Sequence, residues 1–228
     1  MTRTLILVGS PRGRLSTSSS IAQYLSDSLK EKSQEVEILW IIEQLVLKER
    51  IDEMLQIIQK SDTLVLVAPL YDDCQPYNVT KTMEIMSIQE NLSGKRFIPI
   101  INSGFPEADQ ISHAAIPIYK LFAKKIGLEW VGSLSIGGGE GLQGTSGKKL
   151  DEVGGAAKKT INELHDISTA LSKKQVYKDA KVLTFPKFLL NLTLGRVMVW
   201  MNNRGWKMMA KKKGVDVDAK PYARAAIG

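Results

Sequence analysis

The chain has one cysteine, Cys74, and two histidines, His113 and His165, in 228 residues. A single thiol excludes an intramolecular disulfide and a cysteine-ligated iron–sulfur cluster or cysteine-rich zinc site within one chain. The histidines are far apart and lack spaced partners, so no metal site is expected. Long hydrophobic runs are also missing. The longest, Phe188 to Met201, is broken by Asn191, Thr193 and Arg196, whereas a membrane span needs about 20 apolar residues. A charged leader followed by an apolar segment is absent, because Met1-Thr2-Arg3 runs directly into a strand-like stretch; the cytoplasm is the expected compartment.

What remains is a soluble globular composition, 43% hydrophobic and 24% charged, with length for one substantial core. The net charge of +7 is unevenly distributed. Residues 1–169 carry 18 basic against 21 acidic side chains, and residues 170–228 carry 13 against 3. A basic tail on a mildly acidic body argues against a nucleic-acid protein and for an interaction role of the tail alone.

Thr4 to Val8 is a continuous apolar, β-branched run ending at Gly9, the pattern of a strand buried on both faces of a parallel sheet. Ile21, Ala22, Leu25 and Leu29 then recur at helical spacing from Thr17. Further strands are expected at Val36–Ile42, Asp62–Val67, Arg96–Ile101 and Trp130–Ile136. Helices are expected around Ile51–Lys60, Val79–Gln89, Ile111–Ile126 and Leu150–Leu171. This alternation implies an α/β domain, residues 1–169, with a doubly wound five-stranded parallel sheet of order 2-1-3-4-5. Residues 170–228 read as a helical C-terminal appendage, with a helix from Pro186 to about Lys213.

In such a sheet the ligand lies beyond the carboxyl ends of the strands, where strand order reverses between the first and third. Those ends carry two unusual loops. Gly9 to Ser20 holds Ser10, Arg12 and an unbroken hydroxyl run, Ser16 to Ser20, at a helix amino terminus. Free N–H groups, hydroxyls and a guanidinium with no intervening acid suit a phosphate dianion. A Ser/Thr helix cap alone would need fewer hydroxyls. Ala68 to Tyr77 brings Pro69, Leu70 and Tyr71, groups able to pack on a flat ring while backbone N–H groups meet its carbonyls.

Ser10-Pro11-Arg12 with Ser16-Thr17-Ser18, then Pro69-Leu70-Tyr71 with Pro76, then Asn102 to Glu107, resembles the NADPH-dependent FMN reductase family of flavodoxin-like oxidoreductases. The likeness covers about residues 3–165. It implies FMN as cofactor and NAD(P)H as co-substrate. The phosphate would lie on Ser10, Arg12, Ser16, Thr17 and Ser18, and the isoalloxazine against Pro69, Leu70 and Tyr71, with Asn102, Ser103, Gly104 and Phe105 on its other side. Relatives with a cysteine cluster after the third strand are not matched, so the cluster-free branch is the one resembled. The implied activity is hydride transfer from NAD(P)H through FMN to a small acceptor such as a quinone or free flavin. The cofactor supplies the chemistry, and no side chain is required as an acid or base. A one-electron carrier docking on a partner protein, or a flavin-free binding protein of this fold, are the rival readings; the pI near 9.3 fits the carrier less well.

Other signals carry less. Gly139 to Gly144 spells G-x-G-x-x-G, but Glu163, at the distance of the ribose-binding acid, lies in a helical stretch with no strand; a loop beside the flavin is the better reading. Gly147-Lys148 lacks the remainder of a P-loop. Cys74, in the ring-side loop, reads as incidental rather than redox-active, His113 as a surface or capping residue, His165 as a solvated helix residue and Lys211–Lys213 as a solvated helix end. In the tail, Phe185, Phe188, Leu189, Leu192, Val199 and Trp200 form an apolar stripe that must cover the chain's own core, a second subunit or a membrane surface. The family likeness favours a homodimer.

Overall fold

The computed structural model describes residues 2–71, 74–104, 108–109, 111–142 and 149–184, and in the tail 200, 203, 204, 207, 208 and 210–214. Two compact units are present, Met1–Phe185 and Pro186–Gly228.

The first unit begins with β1 (Arg3–Val8), α1 (Thr17–Lys30) and β2 (Glu35–Trp40). A short α2 (Ile41–Gln44) and α3 (Lys48–Lys60) lead to β3 (Thr63–Leu70), α4 (Tyr77–Ser87) and β4 (Arg96–Ser103). A π-helical turn, Ile111–Ala115, enters α5 (Ile116–Ile126). The unit closes with β5 (Glu129–Trp130), β6 (Ser133–Gly137), α6 (Lys158–Ser172) and β7 (Asp179–Leu183). Among the described residues all strand pairs are parallel, in the order β2-β1-β3-β4-β6-β7, with β5 on β4.

The doubly wound order expected from the sequence is therefore present, with two additions. The fifth strand is split into β5 and β6 at Gly132, whose φ of +147° and close approach to the Tyr177 carbonyl leave no room for a Cβ. The sheet gains β7 beyond residue 169, so the first unit extends through the start of the region read as an appendage. The second strand also stops earlier than read. Ile41 turns into α2 and is buried, where an unbroken strand was expected through Ile42. The last core helix begins at Lys158, after a separate 3-10 turn at Leu150–Val153. The expected tail helix from Pro186 lies mostly outside the described residues; those described between 200 and 212 are helical.

Period-two alternation in the central strands divides the core between two faces. Ile6, Val8, Val65, Val67, Ile98 and Ile100 face α1 and α6, packing with Ile21, Leu25, Leu164 and Ile167. Leu5, Leu7, Leu64, Leu66, Phe97 and Ile101 face the opposite layer, with Met54, Ile58, Val79, Tyr119 and Phe122. Burial on both sides is why these strands read as unbroken apolar runs. Among the described residues no helix is long and apolar enough to cross a membrane.

Candidate functional site

The site is built where β1, β3 and β4 end side by side. β1 stops at Val8, and the Gly9 N–H extends the ladder by donating to the Val67 carbonyl at 2.8 Å. A Cβ on Gly9 would lie 2.4 Å from Val79 Cγ2 and 2.9 Å from Ala68 Cβ, so only glycine lets the chain leave the sheet this close to β3 and α4. A tight turn follows: the Gly13 N–H donates to the Ser10 carbonyl at 3.0 Å, with Gly13 at φ +60°.

Ser16 is the N-cap of α1, in extended geometry. Its Oγ accepts from the Ser19 N–H at 3.1 Å and donates to the Gly13 carbonyl at 2.7 Å. The Ser16 hydroxyl is thus committed to shaping the turn. The N–H groups of Thr17 and Ser18 have no carbonyl within the helix to meet, because the helix starts with them. The first turn holds no acidic residue, so nothing there opposes an anion at the positive end of the helix dipole.

Five neighbouring elements hold this turn in place. Asn102 Nδ2, on β4, donates to Ser18 Oγ at 2.9 Å and to the Ala68 carbonyl at 3.1 Å. Asn78 Nδ2, on the first turn of α4, donates to the Gly9 carbonyl at 3.1 Å. At the end of β2, Trp40 Nε1 donates to Ser19 Oγ at 3.0 Å. Arg14 makes two hydrogen bonds, 2.7 and 2.8 Å, to Glu43 of α2, and its guanidinium lies 3.8 Å from the Trp40 ring centre. After β6, the Gly139 carbonyl accepts a long bond, 3.4 Å, from Thr17 Oγ1. A turn held on several sides costs little to organise for a ligand.

Of the expected phosphate group, Ser10, Ser16, Thr17 and Ser18 are all buried around the turn, and Arg12 is exposed at its rim. Ser10 Oγ accepts from the Arg12 N–H at 3.3 Å. Asn78, Glu43 and Trp40 were not singled out from the sequence. Only Asn78 leaves a trace there, as a polar residue one position before the buried Val79 on a helix that follows Pro76.

On the ring side, Pro69 and Leu70 are the last residues of β3, in register with Asn102 and Ser103 of β4. The Leu70 side chain is buried in the core layer beneath the sheet, so its backbone is what it can offer a ligand. Tyr71 is exposed at 46% and pairs through two 2.9 Å backbone bonds with Cys74, an isolated antiparallel bridge. Cys74 is exposed. Asn102 and Ser103 are buried and Gly104 is exposed. Phe105 lies outside the described residues. Gly139 packs against the end of β4: a Cβ there would come within 3.1 Å of Asn102 Oδ1 and of the Ser103 carbonyl. His113 and His165 are exposed, and no cluster of metal-ligating side chains is found among the described residues.

No family pattern matches the sequence, and no curated protein matches it. Solved structures do. An FMN-dependent NADH-azoreductase from Bacillus anthracis, in complex with FMN, is 19% identical with a TM-score of 0.56, over 75% of this chain and 100% of its own. RosB, bound to 8-demethyl-8-formylriboflavin-5'-phosphate, is 14% identical with a TM-score of 0.58, over 96% of this chain and 90% of its own. A flavodoxin from Streptococcus pneumoniae is 13% identical with a TM-score of 0.53, over 76% of this chain and 99% of its own. The fold is flavodoxin-like.

Proposed function

We propose that the chain is an FMN-dependent oxidoreductase that passes a hydride from NAD(P)H to a small acceptor. The observation that carries the reading is the anion-binding turn at the α1 amino terminus, fixed at the switch point between β1 and β3. The azoreductase and RosB, both of this fold, have FMN and a riboflavin-5'-phosphate derivative in their crystals.

The residues present fit FMN. The Thr17 and Ser18 N–H groups and the Ser10 and Ser18 hydroxyls all belong to this one turn, Arg12 is exposed at its rim, and no acid stands in the first turn of α1, a donor set suited to a phosphate. Ser16 contributes by capping the helix. The Pro69–Tyr71 strand end and the Asn102–Gly104 backbone would flank the isoalloxazine; the exposed Tyr71 ring is the side chain free to lie on it. Bound FMN would supply the hydride chemistry. The protein's own part is to bind and orient the flavin and to leave one ring face open for nicotinamide and then the acceptor.

As to the finer points, we assign the protein to the cytoplasm as a homodimer, using NADPH or NADH. The acceptor is a small molecule such as a quinone or free flavin.

The test is Arg12→Ala combined with Ser18→Ala. Losing one charged and one neutral hydrogen bond costs about 2–4 kcal/mol, or roughly 30- to 1000-fold in affinity. The variant is expected to be folded and colourless where the wild type is yellow and consumes NAD(P)H with a quinone. Stoichiometric FMN in the double variant would refute the phosphate assignment.

A further inference from the structure

Asn102 belongs to the strand end that would face the flavin ring, yet its side chain turns away beneath the phosphate turn. Its amide orientation is fixed by chemistry. The Ala68 carbonyl can only accept, so the atom 3.1 Å from it is the NH2 group, and the second proton of that group is the one given to Ser18 Oγ at 2.9 Å. Asn102 cannot swing away. It is 6% exposed, and Gly139 packs so closely over it that a Cβ there would sit 3.2 Å from Asn102 Cβ.

The consequence falls on Ser18. A serine hydroxyl can donate one hydrogen bond and accept two. With a lone pair engaged by Asn102, the Ser18 proton is directed elsewhere, and it meets no acceptor among the described residues. Ser18 is 1% exposed, and a buried hydroxyl proton left without an acceptor is costly. Ser18 occupies the second position of α1, where the helix also presents its N–H.

We propose that Asn102 is a positioning residue that sets the polarity of Ser18, making its hydroxyl a donor to the flavin phosphate and so selecting FMN over riboflavin. This rests on the reading of the turn as a flavin-phosphate seat. Asn102 touches Ser18 and Ala68 and acts through Ser18. An aspartate of the same shape would reverse the polarity, since a carboxylate accepts the Ser18 proton and adds a negative charge beneath the phosphate.

The test is a set of binding titrations by flavin fluorescence quenching, with FMN and riboflavin, on wild type, Asn102→Ala, Asn102→Asp, Ser18→Ala and Ser18→Ala/Asn102→Ala. Losing the neutral Asn102–Ser18 bond that orients the donor, with the Ser18 hydroxyl still present, corresponds to roughly five- to tenfold. Asn102→Ala is expected to weaken FMN binding by that factor and leave riboflavin binding nearly unchanged. Asn102→Asp keeps the side chain's size but sets a carboxylate against both Ser18 and the Ala68 carbonyl, and is expected to weaken FMN by about 100-fold and riboflavin by a much smaller factor. The double variant should match Ser18→Ala, because Asn102 has nothing left to orient. Equal loss of FMN and riboflavin in both Asn102 variants, or losses that multiply in the double variant, would overturn the proposal and leave the seat intact. A wild type that binds riboflavin as tightly as FMN, or neither, would overturn the seat and the proposal together.

Discussion

Replacing Gly9 by alanine should damage the fold and the seat at once, and the size of the damage follows from the distances. The added methyl would lie 2.4 Å from Val79 Cγ2, 2.9 Å from Ala68 Cβ and 3.6 Å from Leu66 Cδ1. Comfortable carbon–carbon contact is about 3.5–4.0 Å, so the methyl or its neighbours must move by about 1 Å. Val79 is 1% exposed and β-branched, so it has no alternative rotamer to retreat into cheaply. Ala68 belongs to the backbone of β3. The strain must pass into α4 or the turn, where Asn78 Nδ2 meets the Gly9 carbonyl. Overpacking of this kind costs about 1–3 kcal/mol. For a unit of this size each kcal/mol lowers Tm by about 2–4 °C. Thermal melts of Gly9→Ala, Val79→Ala and the pair, with FMN titrations alongside, measure it. The double variant should be less destabilised than the sum of the singles, because Val79→Ala removes the nearest clash. A Gly9→Ala protein within about 0.5 kcal/mol of wild type, with additive behaviour in the pair, would refute the reasoning.

Arg14→Ala should leave FMN affinity nearly unchanged in titrations, because its guanidinium is held by Glu43 and Trp40; a loss as large as that of the Arg12→Ala/Ser18→Ala variant would refute this. Tyr71→Ala should change flavin fluorescence and reduction kinetics while moving Tm little, since the ring is half exposed; an unchanged spectrum and turnover would remove Tyr71 from the site. Burial favours a raised Asp179 carboxyl, but hydrogen bonds from Lys120 and Ser133 outweigh it and hold the group below its ordinary value of 3.8. A depressed carboxyl stabilises the fold above its unfolded pKa, and that stability is lost as pH falls through the folded value. The Tm deficit of Asp179→Asn should therefore be full at pH 7 and shrink below about pH 4; a constant deficit down to pH 2 would refute it.

The parts of the fold legible in the sequence are those where one local pattern decides. β1, β3 and β4 are buried on both faces, so their unbroken apolar runs left little choice of structure. β7 escaped because it is an edge strand: Asp179 and Lys181 point outward, and only Ala180 and Val182 are buried. A run so short and polar becomes a strand only because β6 is there to pair with it. The split after Trp130 likewise depends on the Tyr177 carbonyl crossing over Gly132, a contact 45 positions away in sequence. At the site, the hydroxyl run was visible and the division of labour within it was not. Ser16, Ser18 and Ser19 are chemically identical, and what separates them is whether Gly13, Asn102 or Trp40 stands opposite.

On the proposed reading, that division accounts for more hydroxyls than a helix cap needs. A phosphate seat made of mobile donors would have to be ordered by each incoming ligand, at about 0.5–1.5 kcal/mol for each rotamer-rich side chain immobilised. Here the serines have short side chains, and three of them are fixed by bonds to other elements before any ligand arrives: Ser16 to the turn, Ser18 to β4 and Ser19 to β2. The glycines serve the same end from the other side. Gly9 lets β1 end against α4, and Gly139 lets the turn after β6 close over Asn102. Small residues bring the strand ends near enough for short polar side chains to reach across. A bulkier residue at either glycine would separate the elements that fix Ser18, so the packing of the sheet ends and the orientation of the donor proposed for the phosphate are one property.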